Sequence, residues 1–183
     1  MGCKQRSKGD KPDPGFGHYA KLQTLQDLPS EDILLVPFVN AAFWMIPIHV
    51  LQKVGGFCPL FYHYGEDKDF VNRLHYHQYQ VGYSPQVFGN HDREYRPSTH
   101  EGFLRTESVY HLSEYVNINH PWLKAFGYGV LAVMKKALTS LISGKFQLSK
   151  DYLRMGFQLL SRSTEIQSYR KINRLSQPHY IQK

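Results

Sequence analysis

Proline and glycine divide the first half of this chain into short elements of secondary structure. The apolar runs 33–36 and 38–46 read as strands, the second one buried on both faces. Pro47 stands where a helix can begin, and Gly55–Gly56 stands where that helix must end. This spacing predicts a short helix between two strands and a turn.

A second helix and another strand follow the glycine pair. Residues 66–77 have one apolar stripe, and Lys68 and Arg73 are expected on the opposite, solvated face. Residues 81–88 then read as a strand that Pro85 interrupts. The order strand, helix, helix, strand predicts an α/β fold with a small mixed sheet of three or four strands.

The rest of the chain divides into a polar lead-in and a helical extension. Residues 1–30 are rich in Gly, Pro and Lys without periodicity, which predicts a flexible lead-in. Residues 31–100 hold the α/β part, and residues 101–175 hold helices predicted at 101–117, 121–143 and 149–169. Because so small a sheet would leave an edge or a face exposed, we expect an N-terminal half of the domain to be missing.

Composition and charge exclude several functional classes. The net charge is +7, but the basic residues are scattered rather than gathered in one block, so no nucleic-acid partner is expected. Cys3 and Cys58 lack metal-ligand spacing, which favours a reducing compartment. The most apolar run, 125–134, is about half of the roughly 20 residues that a membrane span needs, so no spanning helix is expected.

Three carboxylates, Glu66, Asp67 and Asp69, occupy four positions at the start of the second helix. Like charges at this spacing repel, and proteins often use such clusters for acid–base or metal chemistry. A general base that takes a proton from a hydroxyl is one interpretation. A solvated helix N-terminus, where the dipole favours acidic residues, is the other, and the cluster alone leaves both open. Asp67 and Asp69 also form an Asp-x-Asp pair, but metal-binding pairs usually follow a buried strand.

Small and aromatic residues near this helix are candidate ligand contacts. Asn40, Ala41 and Ala42 interrupt an apolar run, so a ligand could approach the backbone there, and tight packing explains them equally well. Residues 61–64, Phe-Tyr-His-Tyr, would make a floor for a carbohydrate ring, although Phe61 taken singly reads as core.

Two further candidates follow the last strand. Ligand groups gather at the carboxyl ends of strands in open α/β sheets, so His91 could bind a metal and Arg93 could meet a phosphate. Taken by itself, the segment favours a surface ionic turn.

Residues 121–143 form a basic amphipathic helix. Its apolar side is expected to include Leu138 and Leu141, with Lys135 and Lys136 opposite. Such a helix can lie in a membrane interface, although packing on its own protein is commoner.

Eight motifs between residues 30 and 120 resemble one enzyme family. In chain order they are VPFVNAAFW from Val36, VGGF from Val54, PLF from Pro59, YGED from Tyr64, DF from Asp69, NRL from Asn72, YQVG from Tyr79 and HDR from His91. Their order and spacing resemble the C-terminal half of family 2 glycosyltransferases of the GT-A fold, most nearly the bacterial rhamnosyltransferase-like branch.

The resemblance implies an inverting transfer of a sugar from a nucleotide-diphosphate sugar to a hydroxyl, in cell-surface polysaccharide synthesis. It implies that Asp67 is the general base. It implies that Glu66 helps to place the acceptor or tunes the basicity of Asp67. It places His91 in the shell of a divalent metal, Mg²⁺ or Mn²⁺. The residues that it assigns to the sugar and the acceptor are Asn40, Ala41, Ala42, Trp44, Tyr64, Gly65 and Arg93.

One departure from the family matters. The family's N-terminal half carries the nucleotide-binding strands and the metal-holding Asp-x-Asp, and this sequence has no counterpart. We therefore expect the chain alone to bind sugar nucleotide weakly or not at all, and the resemblance leaves open whether it binds a metal.

The expected partners are the donor, a glycan or lipid-linked acceptor and a complementary N-terminal half. A non-catalytic remnant that binds glycan or a partner enzyme is the alternative. The expected location is the cytoplasm, with peripheral contact at the inner membrane face.

Overall fold

Helices make up most of the described residues, and one small sheet lies in the first half of the chain. The computed structural model describes residues 2–6, 18, 33–90 and 99–181. The elements in chain order are β1 Gly2–Arg6, β2 Leu34–Leu35, α1 Ile48–Val54, α2 Glu66–Tyr76, β3 Gly82–Asn90, α3 His100–Val116, α4 Trp122–Phe126, a π-helical turn Gly127–Leu131, α5 Ala132–Ile142, α6 Phe146–Ser161 and α7 Ser163–Asn173.

The sheet has three described strands in the order β1-β3-β2. β1 runs parallel to β3, and β2 runs antiparallel to it, so the sheet is mixed. The pairing of β1 shifts between Cys3 and Lys4, whose partners are Ser84 and Phe88. Pro85 lies inside that shift, where it has no N–H to donate to a neighbouring strand. The expected mixed α/β class is therefore present at this coarse level.

Two sequence-based expectations about strands were wrong. Residues 2–6, expected within a flexible lead-in, form β1, because their pairing with β3 is a long-range contact that local composition does not reveal. Residues 38–46, expected as a buried strand, form an irregular segment with a turn at 41–43. Val39 in that segment is buried, so the apolar run marks burial without marking a strand.

The helices follow the sequence pattern closely. Pro47 precedes α1, and Gly55, with φ of 83°, ends it. Thr99 caps α3 by accepting a hydrogen bond from the backbone N–H of Gly102 at 3.0 Å. The helix expected at 149–169 is two helices, α6 and α7, which meet at Arg162.

The largest apolar cluster joins the two predicted parts of the chain. Cys58, Leu60 and Phe61, from the loop before α2, are buried among residues of the helical extension. Two smaller clusters surround α2, one with Val39 and Val71 and one with Val54 and Phe70. The N-terminus of α2 therefore stands between the sheet and the helices.

The helical run Trp122–Ile142 corrects one further expectation. It has 21 residues, and an 18-residue window within it has a mean hydropathy of 1.3, so by length and composition it is long and apolar enough to cross a membrane. The sequence analysis counted only the most apolar run, 125–134. It therefore underestimated the length of the apolar helix, which continues through polar and small residues on both sides. In the structure 33% of its apolar window is buried within the protein.

Candidate functional site

The N-terminus of α2 places Asp67 and Asp69 on different faces of the helix. In an α-helix, residues three, four and seven apart share a face. Asp67 therefore shares a face with Phe70, Val71 and Leu74, which belong to the two apolar clusters around α2. Asp69 lies on another face with Arg73. The carboxylates that looked like one cluster in sequence have separate surroundings.

Asp69 is a structural residue. It is buried together with Arg73, whose Nε donates to Asp69 Oδ2 at 2.9 Å. Burial raises the pKa of the Asp69 carboxyl, and the guanidinium of Arg73 opposes that rise. The expectation that Arg73 faces water was wrong, because its guanidinium also donates to the carbonyls of Val54 and Gly56, each at 2.7 Å. Arg73 thereby ties α2 to the end of α1.

Asp67, unlike Asp69, is partly exposed to solvent. Its side chain is half-buried, and its Oδ1 accepts a hydrogen bond from the backbone N–H of Lys68 at 2.7 Å. Within the described residues it forms no ion pair. A carboxylate held by one backbone bond at a helix N-terminus is fixed in place and keeps acceptor capacity for a proton.

Glu66 has an unsatisfied oxygen. Its Oε2 is buried and has no hydrogen-bond partner in the described part of the chain. A buried carboxylate oxygen without a partner costs stability, so it commonly marks a place where a ligand or water completes the site.

Lys68 holds the start of α2 against α3. Its Nζ forms an ion pair with Glu114 Oε1 at 2.7 Å and lies 4.5 Å from the centre of the Tyr110 ring. Glu114 also stands 3.7 Å from His120 Nε2. These contacts fix the backbone N–H that Asp67 accepts from. Sequence analysis missed Glu114, since its partner is 46 residues away.

The residues before α2 have an unusual backbone. Tyr64 and Gly65 have φ of 69° and 88°, both in the left-handed region. A Cβ on Gly65 would meet Val109 Cγ1 at 2.7 Å and Phe61 Cδ1 at 2.9 Å, so only glycine fits there. Tyrosine rarely adopts this conformation, and strain of this kind gathers at ligand sites.

Exposed aromatic rings lie in the loop that leads into α2. Tyr62 and Tyr64 are exposed, and the rings of His63 and Tyr64 have centroids 4.0 Å apart. Phe61 is buried, as the core interpretation had it. The candidate carbohydrate floor therefore consists of residues 62–64. Exposed rings next to a carboxylate suit a sugar, which offers apolar C–H faces and hydroxyls together.

The segment 38–46 lies against the same face of α2 as Asp67. The Trp44 ring is 5.6 Å from that of Phe70, and Val39 shares an apolar cluster with Val71. Asn40, Ala41 and Ala42 are half-buried, and Ala41 and Ala42 form the turn of this segment. Trp44 is mainly a packing residue, since it also lies 6.2 Å from Phe57.

Two predicted site residues lie outside the described residues: His91 and Arg93. Within the described part of the chain, no group of three His, Cys, Asp or Glu side chains comes together to hold a metal.

A second polar cluster, which sequence analysis missed, lies between α3, α5 and α6. Glu107 Oε2 accepts hydrogen bonds from Lys136 Nζ and from the Tyr152 hydroxyl, the latter at 2.9 Å. His111 Nδ1 donates to the carbonyl of Tyr128 at 2.9 Å, while its buried Nε2 has no hydrogen-bond partner in the described part and lies 3.9 Å from Glu107 Oε2. Burial lowers the pKa of His111, and burial together with Glu107 raises the pKa of Tyr152 to about 12. The sequence pattern that could have indicated this cluster is the spacing of Glu107 and His111, which lie one turn apart on α3.

Comparison with known proteins does not identify a family for this chain. No protein-family model, curated protein or solved structure matches the chain.

Proposed function

We propose that this chain supplies the acceptor side of an inverting glycosyltransferase of the GT-A fold. Asp67 is the general base, and residues 62–64 hold the acceptor sugar. The observation that carries the proposal is the separation of the carboxylates. Asp69 is buried and paired, whereas Asp67 is reachable and held by one backbone hydrogen bond. A base must reach its substrate and keep a lone pair for the proton, and Asp67 meets both conditions.

The chemistry follows from that carboxylate. The acceptor hydroxyl gives its proton to Asp67 as its oxygen attacks the anomeric carbon of the donor sugar. The bond from that carbon to the nucleotide diphosphate breaks on the opposite face, so the configuration inverts. Asp67 ends as a carboxylic acid and later releases the proton to water. His91, the predicted ligand of a divalent ion, lies outside the described residues, and we assign no step to that ion.

Glu66 and the aromatic residues have supporting roles in this proposal. The unsatisfied Oε2 of Glu66 would accept a hydrogen bond from a second acceptor hydroxyl. The left-handed backbone at Tyr64 presents its ring to solvent next to α2, where a sugar ring could stack. The half-buried residues Asn40, Ala41 and Ala42 belong to the segment that packs on the same face of α2 as Asp67, so they would border the acceptor.

A complementary nucleotide-binding half belongs to the same proposal. Leu35 in β2 and Met45 beyond it are exposed apolar residues near the sheet, and a neighbouring half could cover them. Donor sugars of this kind are cytoplasmic, so we place the chain there.

A transfer assay tests this function. Membrane extract from cells lacking the gene, supplemented with the purified chain, would receive a panel of nucleotide-diphosphate sugars with a labelled sugar. Extract is used because it can contain a complementary half and the native acceptor. The proposal predicts label in a glycan or lipid-linked product from one donor, and only when the chain is added. If the chain changes the product of no donor, the proposal is wrong.

A glycan-binding module without activity is the second candidate. The exposed rings of Tyr62 and Tyr64 would suffice for binding, and they do not require a base. Binding of free oligosaccharides by the purified chain, measured by ligand-observed NMR, together with no transfer in any extract, would favour this candidate.

A further inference from the structure

Helices α5 and α6 carry apolar side chains that the protein does not bury. On α5 and just before it these are Leu131, Leu138 and Ile142, and on α6 they are Phe146, Leu153 and Phe157. Ile142 is 77% exposed, Phe146 is 64% exposed and Phe157 is 61% exposed. We call these six residues the hairpin face. Leu138, expected on the inner side of its helix, is 57% exposed.

The spacing places each set on one side of its helix. The residues on the first helix are seven and four positions apart, and those on α6 are also seven and four apart. Such intervals make a stripe along an α-helix. Each stripe is about three turns long and lies opposite the buried residues of its own helix, such as Val133 and Met155.

The two stripes flank one seam. Gly156 is so close to α5 that a Cβ on it would lie 2.6 Å from Met134 Sδ. Ser149 Oγ donates to the carbonyl of Ala137 at 2.9 Å. One position after Gly156, Phe157 turns toward solvent, and one position after Ala137, Leu138 does the same. The stripes therefore stand side by side on the solvent side of the hairpin.

The charges around this face have one sign. Residues 131–162 contain six basic residues and one acidic residue, Asp151. Three of the six are paired with acidic residues, Lys136 with Glu107, Arg154 with the buried Asp151 and Arg162 with Glu165. In the described part of the chain, Lys135, Lys145 and Lys150 form no ion pair, so they carry the positive charge of this surface. Lys135 and Lys150 are exposed and occupy the gap in each stripe, four residues after Leu131 and Phe146. Lysine there can bury its methylene chain and keep its ammonium in a polar headgroup layer.

We propose that the hairpin face docks on an anionic phospholipid bilayer, with α5 and α6 lying in the plane of its interface. The apolar side chains would enter the boundary between headgroups and acyl chains, and Lys135 and Lys150 would meet lipid phosphates. The proposal uses no part of the transferase argument, and it assigns the contact to a two-helix surface rather than to the single amphipathic helix of the sequence analysis.

The charges and packing favour this occupant over two others. A second copy of the chain would bring two faces of the same sign together, with lysines near their centres. A spanning arrangement would place the polar cluster of Glu107, Lys136 and Tyr152, which binds α5 and α6 to α3, inside hydrocarbon. A bilayer surface accepts the apolar face and leaves that cluster in the protein.

Vesicle cosedimentation tests the proposal. The full chain would be mixed with vesicles of phosphatidylcholine and with vesicles that also contain phosphatidylglycerol. We expect binding to the anionic vesicles that is weakened by salt. Leu138→Gln with Phe157→Gln should lower the partition coefficient by at least about tenfold. Lys135→Gln with Lys150→Gln should lower it about fivefold for each lysine, on anionic vesicles only.

Matched variants keep the test specific. Ile48→Gln on α1 removes an aliphatic side chain that is 70% exposed and lies outside the face, and Lys171→Gln removes an exposed cation on α7. Neither should change binding. All variants replace surface residues, so equal melting temperatures would confirm that they fold. Absence of binding, or a loss no larger than that of the controls, would overturn the proposal. So would a dimer dissociated by the Leu138 and Phe157 changes without vesicle binding, or resistance to alkaline extraction.

Discussion

Arg73 lies one turn after Asp69 on α2, and the two side chains are buried together with Arg73 Nε 2.9 Å from Asp69 Oδ2. The remaining guanidinium nitrogens donate to the carbonyls of Val54 and Gly56. Because α1 ends at Val54, this pair fixes the end of one helix to the side of another. The position of Asp67, two residues before Asp69, depends on the same anchor.

Removing the guanidinium should destabilise the fold strongly. Arg73→Met leaves Asp69 buried without its partner and two carbonyls without a donor, so we expect the free energy of unfolding to fall by about 3–5 kcal/mol. Urea denaturation followed by circular dichroism measures it. Glu165→Gln breaks the exposed pair with Arg162 and should cost less than about 0.5 kcal/mol. Similar losses in the two variants would show that the buried pair contributes little.

Two glycines of the π-helical turn should respond oppositely to alanine. A Cβ on Gly127 meets nothing within 4 Å, so Gly127→Ala should stabilise the protein by up to about 1 kcal/mol through helix propensity. A Cβ on Gly129 would lie 2.5 Å from Tyr115 Cβ, so Gly129→Ala should destabilise it by about 1–3 kcal/mol. Thermal and urea denaturation provide the comparison. An equal effect in both would mean that α3 does not pack closely on this turn.

The left-handed backbone of Tyr64 should cost stability and serve binding. Asparagine adopts this conformation more readily, so Tyr64→Asn should raise the free energy of unfolding by about 0.5–1 kcal/mol. It should also weaken acceptor binding, measured by ligand-observed NMR, because the exposed ring is lost. Gln78 has φ of 64° and follows the end of α2, so Gln78→Asn is the matched control. It should give the gain in stability alone. Unchanged acceptor binding in Tyr64→Asn would remove the aromatic floor from the site.

The stability of the chain should fall as the solution becomes acidic, in part through His179. Its two ring nitrogens are buried without a partner in the described part, and burial lowers its pKa from 6.5 to about 4. Between these pH values the unfolded chain binds a proton that the folded chain does not. The free energy of unfolding therefore decreases as the pH falls from about 6.5, by up to about 1.4 kcal/mol per pH unit.

A phenylalanine at this position checks the assignment. His179→Phe keeps an aromatic ring beside Gly55 and should flatten the pH dependence between pH 6.5 and 4, measured by urea denaturation at several pH values. His49→Phe changes an exposed histidine of α1 and should leave the wild-type dependence in place. The same slope in His179→Phe and in the wild type would assign the effect to other groups.

Sequence patterns predicted the helices better than the strands. Pro47 and Gly55 gave the bounds of α1, and the apolar stripe of α2 gave its length, because these signals are local. The strand at 2–6 and the irregular segment 38–46 were not predictable, since a strand exists only through its pairing partner. Val39 in the irregular segment is nonetheless buried, so the apolar residues of this segment indicated burial and not secondary structure.

The candidate site was predicted in its location and not in its internal arrangement. Sequence analysis placed three carboxylates at the start of α2, but it could not separate Asp69 from Asp67. That separation depends on Arg73, which binds backbone carbonyls 17 and 19 residues away. Helical periodicity alone predicted that Arg73 faces water. In the structure Arg73 is buried, because its guanidinium binds these long-range carbonyls. The hairpin face was also not predicted from the sequence. Because α5 has apolar residues both toward the core and toward solvent, the pattern alone does not show which of them are exposed.

The most direct test of the central claim is the effect of Asp67→Asn on sugar transfer. In extract from cells lacking the gene, transfer with the wild-type chain would be compared with transfer by Asp67→Asn and by the surface control Glu165→Gln. Loss of a general base costs about 10²–10⁴-fold in rate. We predict that loss for Asp67→Asn, with its melting temperature unchanged and with wild-type rates for Glu165→Gln. Transfer by Asp67→Asn at the wild-type rate would contradict the account.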